Sequence, residues 1–145
     1  MQLNEVLLSQ CKRVATYGAD GKENGYLLEL SKDGDKTTAY LTVAFPGSFK
    51  GYHLHLRRTG NFILVSGKLK IIMVQNRIKQ EIFLDGASPQ RITIPTMIYV
   101  GLQNVGTADA WMLNFPQPAY DPSDKGEQQE MSPAEMEDFL SQSSI

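Results

Sequence analysis

An all-β fold, either a sandwich or a closed barrel, is what this sequence predicts. From Tyr26 onward its apolar residues come in short blocks, each ended by turn residues. About eight such blocks follow one another with no helical period among them, the pattern of short antiparallel strands. Two blocks, Phe62–Val65 and Ile71–Val74, are apolar without interruption, which predicts strands buried on both faces.

The elements follow in order. The first twenty residues are ambiguous, because Leu3, Val6 and Leu7 suit a helical turn or an edge strand equally. Tyr26–Leu30 stops at Lys32-Asp33-Gly34-Asp35, a turn by composition. Thr37–Phe45 is rich in Thr, Tyr and Val and closes at Pro46-Gly47. Tyr52–Leu56 alternates, Phe62–Val65 is continuous, and Ser66-Gly67 breaks the chain before Leu69–Val74. Asn76-Arg77 divides that segment from Ile78–Leu84, which ends at Asp85-Gly86. Gln90–Ile94, Met97–Gln103 and Ala110–Phe115 complete the strands, with Trp111 read as core or dimer-interface bulk. Lys125–Glu130 reads as a polar linker. Ser132-Pro133-Ala134-Glu135 then sets a hydroxyl at N-cap, proline at N1 and glutamate at N3, a capping box that opens a short helix. Met136, Phe139 and Leu140 share one face of it, which predicts docking on the barrel or on a partner subunit.

Composition narrows the function. A chain of 145 residues, 41% apolar and 21% charged, suits a single core; residues 1–125 are expected to form one domain and 126–145 the linker and helix. The net charge is -2 and no basic run occurs, which argues against nucleic acid as a partner. The one cysteine, Cys11, has no internal partner, which suits a reducing cytoplasm. Glu5 and Gln10 interrupt the only apolar stretch near the start, and no segment is long enough to span a bilayer, so no membrane association is expected.

The chain holds two histidines, His53 and His55, so any imidazole chemistry must use them. On a strand, His53, His55 and Arg57 share one face, while Tyr52, Leu54 and Leu56 share the other. The histidine Cα atoms would stand ~7 Å apart. Two imidazoles and a guanidinium can bind an anion, hold a metal or move a proton near neutral pH. Alternation alone leaves the reverse arrangement open, with the apolar side chains inward and the histidines in water. Arg58 is expected to be a surface charge pointing away from them.

Gly47, five residues, His53-Leu54-His55 and a later Gly67 form the frame of the first cupin motif. Pro95 and Asn104 frame the second. This spacing resembles the cupin superfamily, and implies a cupin jelly-roll β-barrel with a short C-terminal helix. The match departs at the ligands: Thr59 or Gly60 falls where the glutamate should be, Met97 at a glycine and Val100 at the third histidine. Two imidazoles without a carboxylate or third nitrogen do not make the facial set that holds iron or manganese. No metal and no other cofactor is expected, and a metal-dependent oxygenase is disfavoured.

A closer resemblance runs over residues 20–126. Ala44-Phe45-Pro46-Gly47-Ser48-Phe49-Lys50-Gly51-Tyr52-His53-Leu54-His55 resembles the Pro-Gly and Arg/Lys-Gly-aromatic-His segment of dTDP-4-dehydrorhamnose 3,5-epimerases and their short relatives. Glu23-Asn24-Gly25-Tyr26-Leu27-Leu28-Glu29 is similar to that family's opening strand. Ile94-Pro95 to Gly101, Asn104, Asn114, Pro116 and Tyr120-Asp121-Pro122-Ser123-Asp124 follow the closing pattern of the short relatives. The sugar 3,4-ketoisomerases share the His-any-His strand.

The resemblance implies a metal-independent isomerase of polysaccharide or deoxysugar synthesis, acting on a nucleotide-linked 4-keto-6-deoxy sugar. His53 falls on the general base, with His55 beside it as a second catalytic candidate. Lys50 and Arg57 are candidates for the diphosphate and Glu29 for the nucleotide, with Arg57 reading equally as a solvated rim arginine. Tyr40, Asn114 and Tyr120 are further substrate-binding candidates, although Tyr120-Asp121-Pro122 also reads as a plain structural turn. A homodimer with exchanged N-terminal strands is implied too, and would cover the Tyr52/Leu54/Leu56 face. The departures are Asn24 for an arginine, Asn114 for the tyrosine that reprotonates the opposite face, and no enolate-stabilising lysine near Gly60-Asn61. Tyr99, Tyr40 and Tyr120 are the candidate replacements for the missing tyrosine. Those losses keep a rival open, a cupin that binds a sugar or nucleotide sugar without chemistry.

Overall fold

Turn chemistry and alternation divide the chain much as expected. The computed structural model describes residues 12–33 and 37–142; Leu3, Val6, Leu7, Cys11 and part of the turn at 32–35 lie outside them. Among the described residues there are eleven strands and one helix. They are β1 (Lys12–Tyr17), β2 (Glu23–Asp33), β3 (Thr37–Ala44), β4 (Phe49–His55), β5 (Gly60–Ser66), β6 (Lys68–Gln75), β7 (Ile78–Asp85), β8 (Arg91–Ile94), β9 (Tyr99–Asn104), β10 (Ala110–Asn114), β11 (Gln128–Glu130) and α1 (Pro133–Ser141). The expected blocks from Tyr26 to Phe115 are β2 to β10, and β1 is an edge strand.

The strands form two antiparallel sheets, ordered β1-β2-β3-β10-β5-β8 and β11-β4-β9-β6-β7. Between them lies a core of Ala44, Leu64, Leu69, Ile71, Leu84, Ile94, Ala110 and Met112, flanked by Phe62, Met73, Val100 and Leu102. This is a jelly roll: from β3 to β6, and again from β7 to β11, successive strands alternate between the two sheets.

Two expectations need correction here. Lys125–Glu130 is not a linker, because Gln128, Gln129 and Glu130 pair with His55, Leu54 and His53 along the edge of β4. Its polarity reflects an exposed edge strand rather than a free segment. Trp111 is not core, the first of its two readings: it pairs with Val43 on the outer face of the first sheet and stays 44% exposed, which leaves interface bulk as the expectation for it. Continuity was also a partial guide. Ile71, Ile72 and Val74 are buried as expected, but Val65 is 40% exposed.

The helix forms where its cap demands. Ser132 accepts from the Glu135 amide while the Glu135 side chain accepts from the Ser132 amide. Met136, Phe139 and Leu140 pack with Tyr52, Ile72, Val74 and Tyr99 on the back of the second sheet. The apolar face expected to need a partner subunit is thus covered by the chain itself. Ser132→Ala should cost ~1 kcal/mol through loss of the cap, read as a lowered urea midpoint with unchanged m. No helix among the described residues is long and apolar enough to cross a membrane.

Candidate functional site

Directly paired residues of an antiparallel ladder put their side chains on one face. His53 pairs with Val100, and Val100 with Met73; both of these apolar residues pack on the core between the sheets. His53 therefore faces the barrel interior, and His55, two residues on, does the same. Leu54 pairs with Tyr99, and Tyr99 with Val74, on the side that α1 covers. The orientation that alternation left open is resolved in favour of inward histidines. They are not packed tight: the His53 side chain is 41% exposed and that of His55 27%.

Lys50 reaches the same interior because the strand bulges. Lys50 pairs with Leu102 and His53 with Val100, so Gly51 and Tyr52 together oppose Gly101. Only glycine fits the first bulge position, where φ is +123° and a Cβ would lie 2.6 Å from the Val100 carbonyl oxygen. Lys50 is 8% exposed, and its Nζ donates to Thr16 Oγ1. Thr16 Oγ1 in turn donates to Asn24 Oδ1 at 2.7 Å, and Asn24 Nδ2 donates to the Phe49 carbonyl at 2.8 Å. Gly25 leaves room for the ammonium, which would stand 3.1 Å from a Cβ there. No carboxylate pairs with Lys50 among the described residues, and burial pushes its pKa down to about 8. The candidate diphosphate ligand is thus a buried cation tying the two sheets together, in a network with Thr16 and Asn24.

Each histidine has a carboxylate beside it, from β11 or from the residue just before it. His55 Nδ1 lies 3.0 and 3.1 Å from the two Glu127 carboxylate oxygens. Glu127 is 5% exposed, and Arg58 Nε donates to its Oε1 at 2.5 Å. Burial works to raise the Glu127 pKa, but the hydrogen bonds from Arg58 and His55 outweigh it and hold the carboxyl below its ordinary value. Burial lowers His55; the Glu127 hydrogen bond opposes this, and the Arg58 charge reinforces it. His53 is held more loosely. Its Nδ1 is 3.1 Å from Gln128 Nε2 and 3.6 Å from Glu130 Oε1. Burial lowers its pKa, against Glu130 and with His55 and Lys50. Both imidazoles are accordingly neutral near pH 7, the form that accepts a proton.

The facing wall comes from the first sheet. Glu29 pairs with Tyr40, Tyr40 with Asn114, and Asn114 with Phe62. Phe62 packs on the core, so Glu29, Tyr40 and Asn114 share the inner face. Tyr40 therefore stands on the neighbouring strand, directly beside Asn114. Burial raises its pKa, Arg58 opposes this, and Glu29 and Tyr120 add to it. Asn114 Oδ1 accepts from the Asn61 amide at 3.3 Å. Tyr99 lies on the helix-covered side and leaves the list of candidate acids.

Arg57 takes the rim position among its two readings, whereas Arg58 departs from the surface place expected of it. Strand β4 ends at His55, so alternation stops before it reaches them. Arg57 is exposed and ion-paired with Asp124, off the histidine face. Arg58, expected in solvent, is the buried partner of Glu127, and its guanidinium stands 5.1 Å from the Tyr120 ring centre. Tyr120 is thus tied to the site through Arg58. Asp121 makes the expected turn, accepting from the amide and hydroxyl of Ser123. Beside these residues lies a groove of about 570 Å³, lined by Arg57, Arg58, Tyr120, Asp124, Glu127 and Gln128 among others.

The donor set does not fit the metal of a mononuclear cupin. Val100, opposite His53, has no lone pair, and the Nδ1 atoms of both histidines are engaged by neighbouring side chains. Sequence reasoning missed Glu127, Gln128, Glu130 and Arg58. The three from β11 and its approach are more than 70 residues from the histidines, and no local spacing announces them.

Two antiparallel sheets closed around an inward His-any-His strand define a cupin. More narrowly, the chain belongs to the polysaccharide biosynthesis C-terminal domain family, whose model matches residues 20–127. No curated protein sequence matches it. Among solved structures it is similar to the capsular polysaccharide assembling protein CapF from Staphylococcus aureus, with 20% identity, a TM-score of 0.71, 83% of this chain covered and 34% of that chain. It is also similar to oxalate decarboxylase from Lactobacillus farciminis, with 15% identity, a TM-score of 0.62 and coverage of 74% and 31%. Recombinant oxalate oxidase gives 18% identity, a TM-score of 0.56 and coverage of 72% and 58%. At these identities the likeness is one of fold. The chain spans about a third of the length of the CapF chain.

Proposed function

We propose that this cupin transfers protons on a nucleotide-linked keto sugar, as an epimerase or isomerase of polysaccharide biosynthesis. The observation that carries the reading is the inward, partly open pair His53 and His55, with His55 Nδ1 held by the Glu127 carboxylate. A neutral imidazole whose Nδ1 donates to a carboxylate offers Nε2 as the base, whereas His53 Nδ1 faces the Gln128 amide nitrogen, a donor, at 3.1 Å. It takes the proton α to a sugar carbonyl, and the charge passes to the carbonyl oxygen as an enolate. Lys50 is the nearest candidate to hold that charge, and Tyr40, on the opposite wall, is the candidate donor from the other face. A nucleotide-sugar ligand, a homodimer and a cytoplasmic setting belong to the same proposal.

One observation favours a second reading, binding without chemistry. Arg57 is committed to Asp124, Arg58 to Glu127 and Lys50 to Thr16, so a diphosphate meets few free cations here. Incubation with a dTDP-4-keto-6-deoxy sugar in deuterated water separates the two. Deuterium at C3 or C5, followed by NMR or mass, is the expected result. Saturable binding of the same compound without label would establish the second reading.

A further inference from the structure

We propose that Arg58 is a positioning residue that, by holding Glu127 from the side away from His55, keeps His55 neutral with its proton on Nδ1. The inference rests on the proton-transfer reading of the site.

The geometry is that of one buried carboxylate shared by two donors. Arg58 Nε reaches Glu127 Oε1 at 2.5 Å, and His55 Nδ1 reaches the two oxygens at 3.0 and 3.1 Å. The Arg58 and Glu127 side chains are 12% and 6% exposed, so water screens this pair poorly. A buried carboxylate facing a lone imidazole would draw a proton onto it, since an opposite charge favours the charged form. Arg58 changes that balance. Its fixed positive charge already compensates Glu127, and a second cation at His55 would stand beside it, with Arg58 Nη2 only 3.3 Å from Nδ1. Glu127 remains available as an acceptor, so Nδ1 keeps its proton as the hydrogen-bond donor and Nε2 keeps its lone pair.

The other groups facing His55 do not supply this effect. His53 on the same strand is itself held neutral, and the Lys50 charge bears on His53. From the first sheet, Tyr40 is held in its neutral form by burial, and Glu29 stands on the strand beyond it. Glu130 lies next to His53. Tyr120 presents its ring to Arg58 and holds the guanidinium in place. Arg58 is the one fixed cation in direct contact with the His55–Glu127 pair among the described residues.

Two histidines in the chain make the test direct. Proton and ¹⁵N NMR of ¹⁵N-labelled protein, with His53→Gln to assign the signals, reads the protonation midpoint and tautomer of His55. In the unmodified protein the neutral His55 should carry its proton on Nδ1, with a midpoint below the ordinary value of about 6.5. In Arg58→Met the midpoint should cross to above that value, and Arg58→Lys, which restores the charge, should bring it back down. A proton on Nε2 in the unmodified protein would overturn the proposal, since Arg58 would then be donating to a bare Nδ1. An unmoved midpoint in a folded Arg58→Met would overturn it as well. Neither readout requires turnover, so failure here is distinct from absence of deuterium exchange, which tests the reaction itself.

Discussion

His55→Asn should reduce proton exchange on a nucleotide-linked keto sugar by about 10²- to 10⁴-fold, the range that a positioned acid–base group contributes. Asparagine keeps an N–H where Nδ1 donates to Glu127, so the buried carboxylate retains its partner, but nothing replaces Nε2. Affinity for the ligand should change little, because the loss falls on the transition state. In the unmodified protein the rate should be flat above pH 6.5 and fall only at lower pH. The sign follows from the lowered pKa of His55: the basic form persists to more acidic solution than in a free histidine. Exchange that survives His55→Asn and vanishes in His53→Asn would move the base to His53, the imidazole on which the family resemblance placed it.

Lys50→Met should stabilise the protein by ~1–3 kcal/mol at pH 7. The folded pKa is about 8 against 10.5 for the free side chain, and at 1.36 kcal/mol per unit this sets a ceiling of ~3 kcal/mol. Below pH 8 the ammonium is charged in both states and the whole desolvation cost stands. Between about 8 and 10.5 the unfolded chain binds a proton that the folded chain has released, so stability rises with pH in that window. Methionine removes both the cost and the slope while filling similar volume. Urea titrations at pH 7 and pH 9.5 measure both. A variant no more stable than its parent, with the same pH slope, would show that the ammonium is compensated in the fold. A cation kept at such a cost beside His53 fits the task of holding negative charge on a substrate.

What the sequence made legible was local. The Gly47–His53–His55 spacing carried the fold, and the Ser132-to-Glu135 box carried the helix to within a residue of its start. Val100 was rightly read as standing where a ligand would, since it pairs with His53. What failed was whatever depended on where a strand stops or which distant strand lies beside it. Arg57 and Arg58 were assigned by extending β4 past His55, where the backbone leaves the ladder. Glu127 was hidden inside a polar stretch that looked like a tether, because nothing in Lys125–Glu130 resembles a buried segment. The burial of Lys50 was not legible, since the bulge that turns it inward depends on Gly51 meeting the Val100 carbonyl across the ladder.

The stretch after Gly126 supplies Glu127, Gln128 and Glu130 to the histidines and Met136 to the layer behind them. During synthesis these residues follow the strands of the main core out of the ribosome. A nascent barrel can therefore close that core while its imidazoles still lack their carboxylates, and the proposed site is complete only when this stretch docks. A protease cut in the exposed stretch around Asp121–Gly126 would leave the partners of both imidazoles on a segment held without a covalent link.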